Sequence, residues 1–221
     1  MALKSTNAAG NQPSLADQAY RILLDRLVML EIQPGEPMNE MQLATELGMG
    51  RTPIRESLKR LEIDHLVDNY PRQGTFASRI DIGDLAAITE MRLILEPHAA
   101  ARVASDASPE VRETLAALAK QISPMMSASP GKTDLMEFDL GVHRAIYKAV
   151  GNPYLQETLN RLDNLATRLW WSVLDRLPTM SNHVEEHVSL LQAIVEGRSE
   201  DAANISREHI LSFEQMVRAA L

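Results

Sequence analysis

The sequence contains no cysteine among its 221 residues. A chain without thiols forms no disulfide framework and offers no thiolate ligand to a metal ion. Redox chemistry at cysteine is excluded for the same reason. Any metal bound by this chain therefore has to be held by imidazole and carboxylate groups.

Long apolar runs and net positive charge are also missing. No apolar run reaches the roughly 18 residues that span a bilayer, and the first dozen residues are polar, unlike a secretory signal. We therefore expect a cytoplasmic protein with no membrane association. The 22 Lys and Arg face 30 Asp and Glu, which gives a net charge of −8. This balance argues against a nonspecific polyanion binder but leaves room for one local basic element.

The 45% of hydrophobic residues is enough for a real core, in one large domain or two small ones. Residues 1–13 lack periodicity and predict a disordered tail. Apolar residues at helical spacing then predict a first helix over about 14–31, capped by Ser14. Asn39 is placed to cap a short second helix.

A third helix and a hairpin follow. Thr52 is placed to cap this helix, with Pro53 at its first position, where a missing amide proton costs nothing. Two short strands are predicted at 66–70 and 75–78. Two short helices joined by a tight turn and followed by a hairpin predict a winged helix-turn-helix domain over 14–78.

The rest of the chain has no convincing strand. After a linker over 79–83, residues 84–221 form a helical domain divided by proline and glycine breakers. Six helices are predicted, at about 82–105, 108–127, 133–150, 152–176, 181–197 and 199–221. The fold class is therefore mainly α, with a six-helix bundle whose interior can hold a ligand.

Positive charge is concentrated at the start of the third helix, where residues 50–60 contain four basic residues and Glu56 as the one acidic residue. Arg51 and Arg55 lie one turn apart on one face, so both can enter a major groove, where bidentate contact between Arg and guanine is common. The alternative is that these basic residues form a solvated helix face with no binding role. In a helix-turn-helix we favour DNA contact, and the predicted DNA-binding residues are Arg51, Thr52, Arg55, Lys59, Arg72, Gln73 and Gly74, the last three at the wing tip.

Histidine and carboxylate residues mark the helical domain. Asp139 and His143 share a helix face at spacing i, i+4, and His187 and His209 lie on two later helices with apolar stripes. Each histidine taken alone fits an ordinary core or surface position. His183 and His187 form a rival pair that lacks the zincin spacing, so His183 is left as a possible pocket residue.

The segment from IQPGE to GTFAS, with LATELG and RTPIRESLKRLE, resembles the DNA-binding domain of the GntR family of bacterial transcriptional regulators. Gly50, His65 and Met41 depart from its usual pattern, and Gly50 removes a hydroxyl that would contact phosphate. The helical part resembles the FCD ligand-binding domain of the FadR subfamily, and six helices fit its shorter, VanR-like branch.

The resemblance implies a divalent metal held by Asp139, His143, His187 and His209, with zinc as first choice and nickel or manganese as alternatives. Such a set leaves coordination positions open for a carboxylate. It also implies a homodimer that binds a short palindromic operator in double-stranded DNA. A small organic acid effector would contact Arg92, Arg161 and Arg168, although an ion pair with Glu96 is an equal alternative for Arg92.

Two alternatives stay open. One is a metal-dependent hydrolase or lyase with an accessory DNA-binding domain, which needs a general base beside the metal. Glu186 and Glu208 point roughly 100° away from the adjacent histidines and suit that role poorly. The other is a purely structural metal with no effector. We favour a DNA-binding regulator, a repressor, over an enzyme.

Overall fold

The structure is a computed structural model that describes residues 13–177 and 180–220. The chain divides into two compact units with the boundary between Arg79 and Ile80, inside the predicted linker. All but the last residue of the predicted tail, 1–13, lies outside the described residues.

The first unit contains three helices and a hairpin. They are α1 (Leu15–Val28), α2 (Glu40–Glu46), α3 (Arg51–Ile63), β1 (Val67–Tyr70) and β2 (Gly74–Ala77). Ser14 and Asp17 form a capping box at α1, and Asn39 accepts backbone N–H bonds at the start of α2. Fully buried leucine and isoleucine side chains of α1 and α3, including Leu23 and Ile54, form the core of this unit.

The prediction that Thr52 caps the third helix is wrong. The helix begins at Arg51 and its N-cap is Gly50, which makes no side-chain capping bond. Pro53 is therefore the third helical residue rather than the first. Proline is tolerated there because the amide groups of the first turn have no acceptor within the helix.

The hairpin forms the wing. Strand β1 pairs antiparallel with β2, from Val67 opposite Ala77 to Tyr70 opposite Gly74. Arg72 and Gly74 have positive φ angles of 66° and 109°. Glycine adopts such a backbone without steric cost, so the residue at position 74 permits the tight tip that the sequence predicts.

The second unit contains the six predicted helices within its described residues. They are α4 (Asp84–Asp106), α5 (Pro109–Ser127), α6 (Lys132–Ala149), α7 (Pro153–Val173), α8 (Ser181–Val195) and α9 (Ser199–Ala219). Helix α7 is shorter than predicted, because a 3-10 turn over Leu174–Arg176 follows it. The apolar faces enclose one core that includes Trp170 and Tyr147.

One guanidinium joins the ends of two bundle helices. Arg112 on α5 donates to the carbonyls of Ala104 and Ala107 near the end of α4, and to those of Ile194 and Val195 at the end of α8. Carbonyls at a helix C-terminus lack intrahelical partners and carry partial negative charge, so a cation there stabilises both ends. No helix within the described ranges combines the length and apolar character needed to cross a lipid bilayer.

Candidate functional sites

The two predicted recognition arginines share one carboxylate in the first unit. Arg55 Nε and Nη2 donate to the two carboxylate oxygens of Glu40 on α2, at 2.9 and 2.7 Å. Arg51 Nη2 lies 3.4 Å from the same carboxylate. These hydrogen bonds, led by the one from Arg55, hold the pKa of Glu40 below its ordinary value. Glu40 thus orients both guanidinium groups while leaving them largely exposed.

The other predicted DNA-binding residues are also exposed: Thr52, Lys59, Arg72, Gln73 and Gly74. Arg60, by contrast, is turned back toward α1, where it pairs with Asp17 at 2.7 Å and stacks over the Tyr20 ring. The sequence analysis missed Glu40. Its signal is an acidic residue directly after the N-cap of α2, but only packing of α2 beside α3 shows which arginines it meets.

In the second unit, three helices bring four predicted ligands together. Asp139 and His143 lie on α6, His187 on α8 and His209 on α9, and all four side chains are buried. The Nε2 atom of His143 is 3.2 Å from His209 Nε2 and 3.4 Å from His187 Nε2. One donor atom from each of the four residues lies within 4.8 Å of every other.

The electrostatics of this cluster suit a cation. Burial lowers the pKa of His143 and His187 well below the ordinary value, and that of His209 to about 3. These imidazoles are therefore neutral at pH 7 and carry lone pairs. Burial also raises the pKa of Asp139, whose Oδ1 has no hydrogen-bond partner among the described residues. Converging neutral imidazoles and a buried carboxylate are the donor set that zinc, nickel or manganese accepts.

The outward nitrogens of two of these imidazoles are held by further side chains. His209 Nδ1 lies 2.9 Å from Glu186 Oε2, and His143 Nδ1 lies 3.1 Å from the Tyr147 hydroxyl. A partner on Nδ1 fixes the ring orientation and keeps Nε2 available to a metal. Ser212 donates a hydrogen bond to the second oxygen of Glu186.

The contact of Glu186 with His209 was not predicted from the sequence. Its rotation of about 100° from His187 on α8 does not separate it from a histidine of the neighbouring helix. The carboxylate meets the Nδ1 side of His209 and not the side where the donor atoms converge. Glu208 is exposed.

His183 is a fourth imidazole at the edge of this cluster. Its ring stacks on that of His209 with centroids 3.9 Å apart. Its Nδ1 atom is 3.5 Å from Glu186, and its Nε2 atom is 3.6 Å from Asp139 Oδ1. The sequence suggested His183 as a possible pocket residue, and its ring lines a small cavity beside the cluster.

That cavity has a volume of about 10 Å³, roughly one water molecule. Its lining includes Arg92, Asp139, Asp163, Trp170 and Phe213. A ligand larger than a water molecule therefore requires side chains or helices around the cavity to move apart.

Arg92 is buried beside this cavity. Its Nε atom donates to Glu96, which realises the ion pair considered as an alternative, and its Nη2 atom lies 3.9 Å from Asp163 Oδ1. Glu96 in turn lies 3.6 Å from His143 Nδ1. Burial raises the pKa of Asp163 to about 7. The arginine is thus part of a buried ionic network directly behind the histidine cluster.

The other two predicted effector residues lie elsewhere on α7. Arg161 is half-buried and lies 3.8 Å from Glu157, and the buried Arg168 is not among the residues that line the cavity. Sequence patterns predicted neither the contact of Glu96 with His143 nor any role for Asp163. Both are acidic residues on predicted helices, and periodicity alone does not show that they meet.

Comparison with known proteins identifies both units. The profile described as "Bacterial regulatory proteins, gntR family" matches residues 15–77, and the profile of the FCD domain matches residues 87–212. An HTH-type transcriptional regulator of Agrobacterium vitis, from the TAR-I ttuE–ttuC′ intergenic region, is 32% identical over 133 residues, which are 59% of this chain and 77% of that protein. The HTH-type transcriptional repressor RspR of Escherichia coli is 21% identical over 203 residues, 91% of this chain and 88% of RspR.

Solved structures share the fold. E. coli McbR/YncC superposes with a TM-score of 0.82 at 21% identity, covering 94% of this chain and 99% of that one. A GntR transcriptional regulator from Rhodococcus sp. RHA1 superposes with a TM-score of 0.75 at 17% identity, covering 95% and 100%. The matched families and relatives are transcriptional regulators and not enzymes.

Proposed function

Because this chain belongs to the GntR family of bacterial regulatory proteins, with a FadR-type FCD domain, and is a DNA-binding transcriptional regulator, we propose that it is a metal-dependent repressor controlled by a small carboxylate. In this proposal it acts in the cytoplasm as a homodimer on a short palindromic operator. The similarity to a protein named as a repressor supports repression rather than activation. The observation that carries the effector proposal is the buried cluster of Asp139, His143, His187 and His209.

The DNA contacts are assigned to exposed residues of α3 and the wing. Arg51 and Arg55 would read guanine in the major groove, because a guanidinium can donate two parallel bonds to its N7 and O6 atoms. Thr52 and Lys59 would contact phosphates, which position the domain without reading sequence. Arg72, Gln73 and Gly74 at the wing tip would approach the adjacent minor groove.

The metal is assigned to the four buried ligands, with zinc as first choice and nickel or manganese as alternatives. A divalent ion with open positions supplies a Lewis acid that anchors an anionic ligand. Tyr147 and Glu186 would keep the inward nitrogens of His143 and His209 free for it, because they engage the outward ones.

The effector is a small organic acid that binds at the cavity beside this cluster. Arg92 is the cation placed to bind the carboxylate of the acid, since it lines the cavity. Arg161 and Arg168 stay predictions from sequence. Because the cavity is so small, a bound acid would have to spread the helices around it, and this differential stabilisation of one bundle conformation is what can alter DNA binding.

The test is selection of genomic fragments by the purified, metal-loaded protein, followed by footprinting of enriched sites and a salt titration. We expect a short palindrome whose affinity falls steeply with salt, because phosphate contacts release counterions. The Arg55→Ala variant serves as the control, which should enrich the same fragments much more weakly.

Chelation and acid addition then separate the roles of the metal. If the proposal holds, small carboxylates release the metal-loaded protein from its operator and have no effect after chelation. A lower melting temperature on chelation, with no acid affecting DNA binding, would instead support a purely structural metal. Turnover of an added acid would support the metal-dependent hydrolase or lyase.

A further inference from the structure

Asp163 on α7 is a buried carboxylate with an unused acceptor atom. Its side chain is 3% exposed, and its Oδ2 atom has no hydrogen-bond partner among residues 13–177 and 180–220. Its other oxygen lies 3.9 Å from Arg92 Nη2. Leaving a buried polar atom unpaired is costly, so such an atom calls for an explanation.

The unpaired atom belongs to a residue that lines the cavity beside the histidine cluster. Asp139 and His143 line the same cavity, and so does Arg92. A ligand that enters here therefore meets the proposed metal ligands, a guanidinium and a second carboxylate together. The carboxylate of the ligand can bind the metal and the guanidinium of Arg92. Asp163 repels that carboxylate, so it needs a hydrogen-bond donor from another part of the ligand.

The buried charges indicate which donor fits best. Arg92 faces the three carboxylates Glu96, Asp139 and Asp163, and the surrounding imidazoles are neutral. The half-buried neighbours Arg144 and Glu186 carry opposite charges that offset each other. A divalent cation would bring this buried group to neutrality. An acid with no other charge would then add an uncompensated negative charge to a low-dielectric site, which is unfavourable, whereas a zwitterion adds none.

We propose that Asp163 selects effectors that carry a hydrogen-bond donor next to their carboxylate, with an α-ammonium group preferred over an α-hydroxyl group. The donor binds Asp163 Oδ2 while the carboxylate faces Arg92 and the metal cluster. This assignment rests on the proposed function, since it requires a carboxylate effector in this cavity. It makes Asp163 a specificity-determining residue of the effector site.

The test compares three acids of one size on zinc-loaded, full-length protein: propionate, L-lactate and L-alanine. Binding is measured by isothermal titration and by thermal shift, and the zinc content is checked afterwards because amino acids chelate zinc. We expect L-alanine to bind about tenfold or more tightly than propionate, with L-lactate between them, as a charge-assisted hydrogen bond to a buried carboxylate predicts.

Substitution separates Asp163 from chelation by the metal itself, which also favours amino and hydroxy acids. In Asp163→Asn the preference for L-alanine over propionate should disappear, while zinc affinity and melting temperature show whether the site is intact. Asp175→Asn, at an exposed position after α7, is the matched control and should keep the preference.

Each other outcome has a distinct meaning. Equal binding of propionate and L-alanine to the unsubstituted protein would overturn the role of Asp163 and leave the proposed function standing. A preference that survives in Asp163→Asn would do the same, because chelation would then explain it. If no acid binds the zinc-loaded protein, or no zinc is retained, the proposed effector function fails and this inference fails with it.

Discussion

The two units place their functional charges in opposite environments. In the DNA-binding unit Arg55 has 54% of its side chain exposed, whereas Arg92 in the bundle has 4%. Exposed charges are screened by water and salt and contribute little to stability, so they are available to a charged partner. Buried charges interact strongly with their neighbours and are costly when left unpaired. We therefore expect substitutions in the first unit to change binding alone, and those in the second to change ligand affinity and stability together.

The largest effect is expected from removing two of the four buried ligands. The double variant His143→Ala and His187→Ala should retain no stoichiometric metal after dialysis, because two donors remain where the proposed site needs four. Metal content by mass spectrometry is the measurement. The exposed His98→Ala on α4 is the matched control and should bind metal normally. Full occupancy in the double variant would disprove the assigned site.

Acid should destabilise the metal-free protein through its buried imidazoles. Burial lowers the pKa of four histidines: His143, His183, His187 and His209. The pKa of His209 falls to about 3. In the unfolded chain imidazoles titrate at about 6.5, so below that pH unfolding takes up four protons. Burial raises the pKa of Asp139 and Asp163, the latter to about 7, so these two carboxyls release protons on unfolding.

The four imidazoles outnumber the two carboxyls, so unfolding takes up protons on balance and the free energy of unfolding should fall as the pH is lowered from 7 to 5. Urea unfolding in the presence of a chelator at pH 7, 6 and 5 measures this slope. A free energy of unfolding that stays constant or rises as the pH falls would show that the imidazoles are not buried in the neutral form.

The contrasting behaviour is expected for the exposed arginines. Arg55→Ala should weaken operator binding by roughly 1 to 3 kcal/mol, the contribution of a bidentate contact with guanine, and leave the melting temperature nearly unchanged. Arg60→Ala on the same helix is the control, since Arg60 is turned toward Asp17. Fluorescence anisotropy with operator and scrambled duplexes measures the affinities. Equal binding by the Arg55 variant would remove this residue from the recognition surface.

An effect of similar size is expected at the carboxylate that orients His209. Glu186→Gln should weaken metal binding by about 10- to 100-fold, because His209 Nδ1 would lose the charged acceptor that fixes the orientation of its ring. Glu185→Gln is the control, since that neighbour lines a groove beside Ile122 and Val188 instead. Chelator competition gives the affinities, and the cobalt absorption spectrum reports ligand geometry. An unchanged affinity and spectrum would show that Glu186 has no influence on the site.

The units also differ in how far sequence patterns predict them. Helical periodicity and the proline and glycine breakers predicted the six bundle helices. The spacing of Asp139 and His143 placed both on one helix face. The error at Thr52 has a local cause, since a proline in the first turn fits more than one helix start. The contacts of Glu40, Asp163 and Glu186 were beyond prediction for another reason, because each depends on how two helices pack.

The secondary-structure elements, the basic third helix and the type of donor available to a metal follow from the amino-acid order, because periodicity, local charge and the absence of cysteine are properties of the chain alone. The packing of the helices is what brings particular groups together. It brought His187 and His209 beside His143, set Arg92 between carboxylates, and left one oxygen of Asp163 facing a cavity. These relations arise between helices far apart in sequence, where side-chain distance is set by packing and not by spacing along the chain.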